Sequence, residues 1–314
     1  MPGPAVQRRL LVIANPAAAA GQAQDRLDAL QFRLRQLASD VRFVATSAPG
    51  HAAELARTAA DDFDLVLAAG GDGTVREVAS GLVSHPAPRA VLGLLPIGTG
   101  NDVAAQLGLA DVDAALAALA TGLPRPLDVI EARWTEGDRP TVQHALLFAA
   151  AGFAADLLRL TGPTVKRWFG QRLSYSVGFF RALRHYRPPL MRVRADGREF
   201  AGRMLHVGAG NSEWVGGGAM RLSPGARMDD GRLELCLIEA LNRLEVLWRF
   251  PQLLRGTFPG HPKVRYFPGR ELEIESDPPV PLALDGDAVG QTPATFRLLP
   301  GALRVVAPIG AAAC

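Results

Sequence analysis

Gly70-Gly71-Asp72-Gly73-Thr74 follows the apolar run Leu65-Val66-Leu67-Ala68, and Pro96-Ile97-Gly98-Thr99-Gly100-Asn101-Asp102 follows Val91-Leu92-Gly93-Leu94-Leu95. Short continuous apolar runs separated by helical segments mark the strands of a parallel sheet covered on both faces. The residues after the first loop, Val75 to Val83, read as a helix. Adjacent glycines let the backbone turn tightly and come close to an anion. The helix that follows points its free amides and positive dipole end at the loop, and Thr74 adds a hydroxyl. Such a loop suits a phosphate chain. The alternative is a tight strand–helix turn with Asp72 as N-cap, and the second loop has the same alternative. Two such loops, one βα unit apart and each carrying an aspartate, favour a ligand at the carboxyl edge of the sheet. Neither loop is G-x-x-x-x-G-K-[ST] or G-x-G-x-x-G, and neither contains lysine. A nucleotide there would rely on backbone amides, hydroxyls and Mg²⁺.

Upstream, Leu10 to Ala14 reads as a strand ending at Asn15-Pro16, with Gly21 beyond. Asn15 either contacts ligand or caps a turn. Gln22 to Ala38 and Ala52 to Ala60 read as helices, with a strand at Val41 to Ala45 between them. Downstream of Leu127-Asp128-Val129 the pattern changes. Strand-like segments at Leu190–Val193, Met204–Val207, Leu233–Ile238, Glu271–Glu275 and Ala294–Leu298 are separated by turn signals. They predict a mainly antiparallel, β-rich second domain. Two helices interrupt it, Thr164–Tyr186 and Leu244–Leu254. The expected division is an α/β domain over residues 1–130 and a β-rich domain over 131–298.

A chain of 314 residues allows about two domains. Its hydrophobic share of 48% and charged share of 21% exclude a wholly disordered chain. A net charge of +3 does not argue for a nucleic-acid binder. Only Lys166 and Lys263 are lysines, an imbalance that codon bias would explain. Cys236 and Cys314 are too few for a disulfide scaffold or a cysteine zinc site. A reducing, cytoplasmic compartment is expected, with no signal peptide at the start. The longest apolar stretch, Ala145 to Ala155, is well short of the ~20 residues of a membrane span, so any membrane contact would be peripheral. The histidines show no metal-ligand spacing, and His144 and His206 read as structural.

Asn15-Pro16 and the two glycine loops, in this order and spacing, resemble the catalytic domain of the diacylglycerol kinase and sphingosine kinase superfamily, in particular its soluble bacterial lipid kinases. Gly210-Asn211-Ser212, Gly216-Gly217-Gly218, Pro224-Gly225-Ala226, Asp230-Gly231-Arg232-Leu233 and Leu284-Asp285-Gly286-Asp287 continue the likeness, which covers about residues 8 to 309. It implies a phosphofructokinase- or NAD-kinase-like α/β nucleotide-binding domain, followed by a β-rich antiparallel sandwich-like domain. The active site would lie between them, and the chain end, 299–314, would return to the first. ATP would contact Asn15, Thr46, Gly70, Gly71, Asp72, Gly73, Thr74, Val75, Arg76, Gly98, Thr99, Gly100 and Asn101. Asp72, Asp102 and Asp128 match an acidic set that organises metal and water. Asp230, with the backbone carbonyls of Arg227 and Arg232, matches a structural Mg²⁺ site, and oxygen ligands suit that hard cation.

The family's catalytic base lies in a Leu-Asp-Gly-Glu segment, where this chain has Leu284-Asp285-Gly286-Asp287. The resemblance puts the base on Asp287 and a metal or orienting role on Asp285, with the reverse assignment open. By itself, Asp285-Gly286 reads as a hairpin turn. The chain also departs from the family by placing Gln22, not a basic residue, after Gly21, and Arg76 where relatives often have Asn.

Lys166 to Arg172 and Arg181 to Arg187 flank an apolar face of Leu173, Val177, Phe180 and Leu183. This helix would either meet an anionic membrane or pack on the β domain with a solvated basic face. Arg243 to Arg255, with Trp248 and Phe250, is a weaker candidate for the same membrane contact and reads first as a core helix. The implied activity is ATP- and Mg²⁺-dependent phosphorylation of a lipid hydroxyl at a peripheral membrane surface. Diacylglycerol is the first acceptor considered; phosphatidylglycerol, a sphingoid base, ceramide and a polyprenol stay open. The rivals are an NAD kinase, which shares Gly70 to Thr74, and a catalytically silent nucleotide- or lipid-binding protein. The sequence does not indicate an oligomeric state.

Overall fold

The computed structural model describes residues 8–16, 30–98, 100–160, 178–184, 187–218, 220–255 and 260–309. The chain divides into two compact units, Met1–Asp128 with Pro300–Cys314, and Val129–Leu299.

The first unit is built on parallel strands. They are β1 (Arg9–Ala14), β2 (Asp40–Ala45), β3 (Leu65–Gly70), β4 (Val91–Pro96) and the end of β15 (Ala294–Ala307), in the order β2-β1-β3-β4-β15. Leu10 pairs with both Val41 and Leu65, Leu67 pairs with Gly93, and Val305 joins Leu92. β3 is buried along its whole length. That is why β1, β3 and β4 read as apolar runs, while β2, at the edge, carries Arg42 and is only partly buried: helices cover a parallel sheet on both faces, and each buried aliphatic side chain contributes about 1.5–3 kcal/mol. The covering helices include α1 (His51–Ala59), α2 (Asp72–Val83), α3 (Asp102–Gln106) and α4 (Val112–Thr121). α2 buries Val75, Val78, Ala79 and Leu82, one helical stripe. Asp111 caps α4 by accepting the Ala114 N–H at 2.8 Å.

Residues 30–35 are helical, so that helix ends before the Ala38 expected from sequence; residues 17–29 lie outside the described residues. α2 starts at Asp72, three residues before the expected Val75. Gly73 conceals the start, because glycine is a poor helix former that sequence reading assigns to a loop.

The second unit is an antiparallel sandwich. One sheet has the order β14-β13-β7-β9-β10-β11, formed by β14 (Asp287–Gln291), β13 (Pro281–Leu284), β7 (Phe148–Gly152), β9 (Arg198–Gly210), β10 (Leu233–Glu239) and β11 (Val264–Gly269). The other runs through β9, β8 (Leu190–Ala195), β12 (Glu271–Asp277) and the start of β15. β5 (Leu123–Glu136) pairs with β6 (Arg139–Ala145). β9 serves both sheets, through Arg198–Arg203 beside β8 and His206–Gly210 beside β7. Met191, Val193, Leu272, Ile274 and Phe296 meet Val207, Leu233, Leu235, Leu237 and Leu282 in one core. Alternation along β10 sends Cys236 and Ile238 to the opposite face. There they pack with Phe153 and Leu157 of α5 (Phe153–Leu160), Phe179 and Ala182 of the helical residues 178–184, and Val246 of α6 (Arg243–Leu254).

α6 opens with a reciprocal capping box: Glu245 N–H donates to Asn242 Oδ1 at 2.8 Å, and Asn242 N–H to Glu245 Oε2 at 3.2 Å. Its existence agrees with the sequence reading, and Val246 packs into the buried cluster as a core helix should. Trp248 is 80% exposed and Leu244 69%, so the expected core helix is covered on one side only. Amphipathic spacing shows that a helix has an apolar face, not that the fold covers it.

Candidate functional site

The nucleotide residues expected from sequence line one edge of the first unit. At the carboxyl ends of the strands, Thr46 N–H donates to Ala14 O at 2.8 Å, Asn15 N–H to Ala69 O at 3.1 Å, and Gly98 N–H to Gly70 O at 3.1 Å. These bonds follow the strand order β2-β1-β3-β4, so Thr46, Asn15, Gly70–Gly71 and Gly98 stand side by side. Thr99 lies outside the described residues.

The two glycine loops pack backbone on backbone. A Cβ on Gly98 would come 2.3 Å from Gly71 Cα and 2.6 Å from Gly71 N; one on Gly100 would lie 2.6 Å from Asp72 Oδ2. Gly73 is different, with nothing within 4 Å of such a Cβ. Asp72 is not the cap of its own helix. Gly71 occupies the N-cap position of α2, and the Asp72 carboxylate accepts the Val103 N–H of α3 at 3.1 Å. It therefore caps the helix of the neighbouring loop and ties the two loops together. Asn101 precedes α3 in the left-handed conformation, φ 56, which Asn tolerates better than most residues. Its side-chain amide folds back to Gly98 O at 2.9 Å. Thr74, Val75 and Arg76 follow in the first turns of α2, with Thr74 buried.

Of the other expected metal residues, Asp102 opens α3 and is buried, and Asp128 is buried and accepts the Gly301 N–H at 2.7 Å. Among the described residues, no group of three His, Cys, Asp or Glu side chains comes together to cage a metal. Mg²⁺ does not need one, since it is held by one or two carboxylates with phosphates and water. Asp72 and Asp102, in adjacent loops, fit that pattern. Asp230 is held by its own turn: Oδ1 accepts the Arg232 N–H at 3.1 Å, and the Arg232 guanidinium lies 3.6 Å from Oδ2. Arg227 pairs with Asp229 at 3.2 Å. Thus Arg227, Asp230 and Arg232 share one stretch of chain, but Arg232 already partners the carboxylate.

In the second unit, Asp285 and Gly286 form the turn of the β13–β14 hairpin, with φ 47 and φ 92. Asp285 also does something the sequence did not reveal. Its carboxylate accepts the N–H groups of Leu146, Leu147 and Phe148 at 2.7, 2.8 and 3.0 Å. The carbonyls of the same three residues are used as well. Asn211 Nδ2 donates to Leu146 O at 2.8 Å, Asn211 and Ser212 N–H donate to Leu147 O at 2.8 and 3.0 Å, and Asp285 N–H donates to Phe148 O at 3.1 Å. Every backbone polar group of this turn is satisfied. Asp285 is thereby fixed as an acceptor of amide protons, while Asp287, two residues on, is exposed at the start of β14.

The loop after Asn211 holds a second feature absent from the sequence reading. Burial raises the Glu213 pKa, but bonds from Arg221 and from the Gly225 N–H outweigh it and leave the carboxyl below its ordinary range. The same Arg221 guanidinium lies 5.8 Å from the Trp214 ring centroid. Gly210-Asn211-Ser212, the glycine run Gly216 to Gly218 and Pro224-Gly225-Ala226 were the sequence's pointers to this loop. His144 and His206 sit on β6 and β9. Burial lowers both, His206 to about 4.

The Diacylglycerol kinase catalytic domain matches residues 9–132, and the YegS C-terminal NAD kinase beta sandwich-like domain matches residues 149–307. The Diacylglycerol kinase of Bacillus subtilis is 29% identical over 304 residues, covering 96% of this chain and 97% of that protein. The "Probable lipid kinase YegS-like" of Chromohalobacter salexigens is 32% identical over 284 residues, covering 89% and 88%. The crystal structure of a diacylglycerol kinase from Bacillus anthracis shares the fold, with a TM-score of 0.72 at 21% identity over 97% of this chain and 98% of that one. Fold and sequence together define a phosphotransferase with an alcohol acceptor, a lipid kinase. The chain belongs to the diacylglycerol kinase and YegS-like lipid kinase family.

Proposed function

We propose that this lipid kinase transfers the γ-phosphoryl group of ATP, with Mg²⁺, to the hydroxyl of a diacylglycerol-like lipid at a membrane surface. The observation that carries the donor side is the backbone contact between Gly71 and Gly98. It brings two glycine loops and the amino end of α2 to one sheet edge, where amides can receive phosphate oxygens without a lysine. Asn15, Thr46 and Asn101 would position the nucleotide, and Thr74 to Arg76 would follow its phosphates into α2. Asp72 and Asp102 would hold Mg²⁺, which neutralises phosphate charge when bound. Asp128 anchors Gly301 and would order the acidic set from behind. Asp230, with the Arg227 and Arg232 carbonyls, would offer a second cation position in competition with the Arg232 side chain.

The acceptor side rests on the Asp285 turn. A carboxylate that accepts three amide protons is a positioning group. The proton of the attacking hydroxyl would go to Asp287 as the oxygen bonds to phosphorus, because an ordinary alcohol does not ionise beforehand. The names of the Bacillus subtilis and Chromohalobacter relatives support diacylglycerol or another lipid alcohol as acceptor.

The test is a lipid-panel assay with labelled ATP and Mg²⁺, products identified by mass spectrometry. Asp287→Asn is expected to lower transfer by about 10²–10⁴-fold with ATP affinity and folding stability nearly unchanged. Asp287→Glu should retain transfer. Asp285→Asn should instead destabilise the fold by about 2–3 kcal/mol, since an amide cannot accept all three N–H bonds. Full turnover in Asp287→Asn removes the base assignment, and labelled NADP⁺ formed from NAD⁺ overturns the lipid acceptor.

A further inference from the structure

α6 presents opposite faces to opposite environments. Val246 is buried in the cluster beneath it, with Phe179, Ala182 and Leu241. Leu244, Leu247, Trp248 and Pro251 stand at i, i+3, i+4 and i+7, one side of a helix, and all four are exposed. Residues 178–184 cover the same cluster with Phe179 and Ala182, and leave Phe180, Arg181 and Arg184 exposed. An aromatic and aliphatic stripe left outside the buried cluster marks a surface for a partner.

Charge selects the partner. Arg243 and Arg249 flank the stripe, and Arg255 follows its end. The helix's one acid, Glu245, is occupied by its capping box and lies 3.8 Å from Lys263 and 3.9 Å from His261. A basic rim around exposed Trp and Leu matches the boundary between anionic headgroups and acyl chains, where tryptophan has both an apolar body and a polar N–H to place. At 12 residues, α6 is too short to span a bilayer and long enough to lie in its surface. We propose that α6 is the membrane-docking face of this kinase, with Trp248 as its inserted side chain and the arginines as its contacts to anionic phosphates. This rests on the membrane-surface reading above and identifies which helix makes the contact.

The experiment is sedimentation of the full chain with vesicles of pure phosphatidylcholine or of equimolar phosphatidylcholine and phosphatidylglycerol. In parallel, turnover is measured on a short-chain diacylglycerol dispersed as monomer, which needs no docking. Binding to the anionic vesicles is expected to fall about tenfold in Trp248→Ala and about fivefold for each of Arg243→Ala and Arg249→Ala. Turnover on the monomeric lipid should not change. Unaltered vesicle binding in Trp248→Ala overturns the proposal. So does a concentration-dependent dimer that dissociates in Trp248→Ala without an effect on vesicles, which would make the stripe a self-association face. Normal turnover with no vesicle binding by the unaltered chain sinks the docking face alone. Vesicle binding that responds as described, with no lipid phosphorylated, sinks the kinase reading and leaves the docking face standing.

Discussion

Gly73 and Gly98 look equivalent in sequence, and the structure separates them. A methyl group at 98 would collide with the backbone of Gly71, whereas one at 73 meets nothing. Gly98→Ala should therefore push the two loops apart and reduce both stability and nucleotide binding. Gly73→Ala should leave the empty protein as stable or up to about 1 kcal/mol more stable, because alanine favours a helix. It should still weaken ATP if phosphate oxygens approach the Gly73 backbone. Thermal unfolding without nucleotide, set beside ATP titration, checks both, and Gly73→Ala with unchanged ATP affinity would move the phosphates elsewhere. The glycine loops were legible because their chemistry is local. The role of Asp285 was not, since its donors at Leu146–Phe148 lie in a distant part of the sequence. Asp72 shows an intermediate case. Its place in the loop was readable, but its bond to Val103 depends on how two loops meet.

Strands were the most legible elements. The inner parallel strands β1, β3 and β4 appear as continuous apolar runs and β8 and β12 as alternations, because burial on two faces or one imposes those patterns, whereas antiparallel β7, buried throughout, was not read as a strand. The paired setting of β9 was not legible: only the folded chain shows it joining two sheets. That setting has a titration consequence at His206, between Gly152 and Ile238 in the ladder. Burial holds its pKa at about 4, against 6.5 when exposed. The unfolded chain therefore takes up a proton as pH falls below about 6.5, while the folded chain does not until about 4. The stabilising difference is complete above 6.5 and is lost as pH falls toward 4. Urea unfolding should show a loss of roughly 1–2 kcal/mol between about pH 7.5 and pH 5 attributable to this residue. His206→Gln should flatten that part of the slope, and an unchanged slope would remove His206 as its source.

Across the molecule, Cys236 provides a reporter of opening. It faces the cluster under α5 and α6, and burial pushes its thiol up to about 12. Thiolate is the reacting form. In a Cys314→Ala background, a thiol reagent should leave the native protein unlabelled and react fully once urea unfolds it; rapid labelling in native buffer would show that β10 opens without global unfolding. β15 raises a different matter, that of synthesis. Its end, through Val305 beside Leu92, supplies the strand next to β4, and Gly301 supplies the amide held by Asp128. A growing chain that has released every residue through Asp128 still lacks the last strand of its first unit. The edge of β4 must wait, unpaired by its eventual neighbour, while the whole sandwich emerges from the ribosome. Nascent chains arrested before residue 300 should thus be more protease-sensitive in the first unit than the released protein, and the late strand makes completion of the lipid kinase a final, cooperative event instead of a sequence of independent ones.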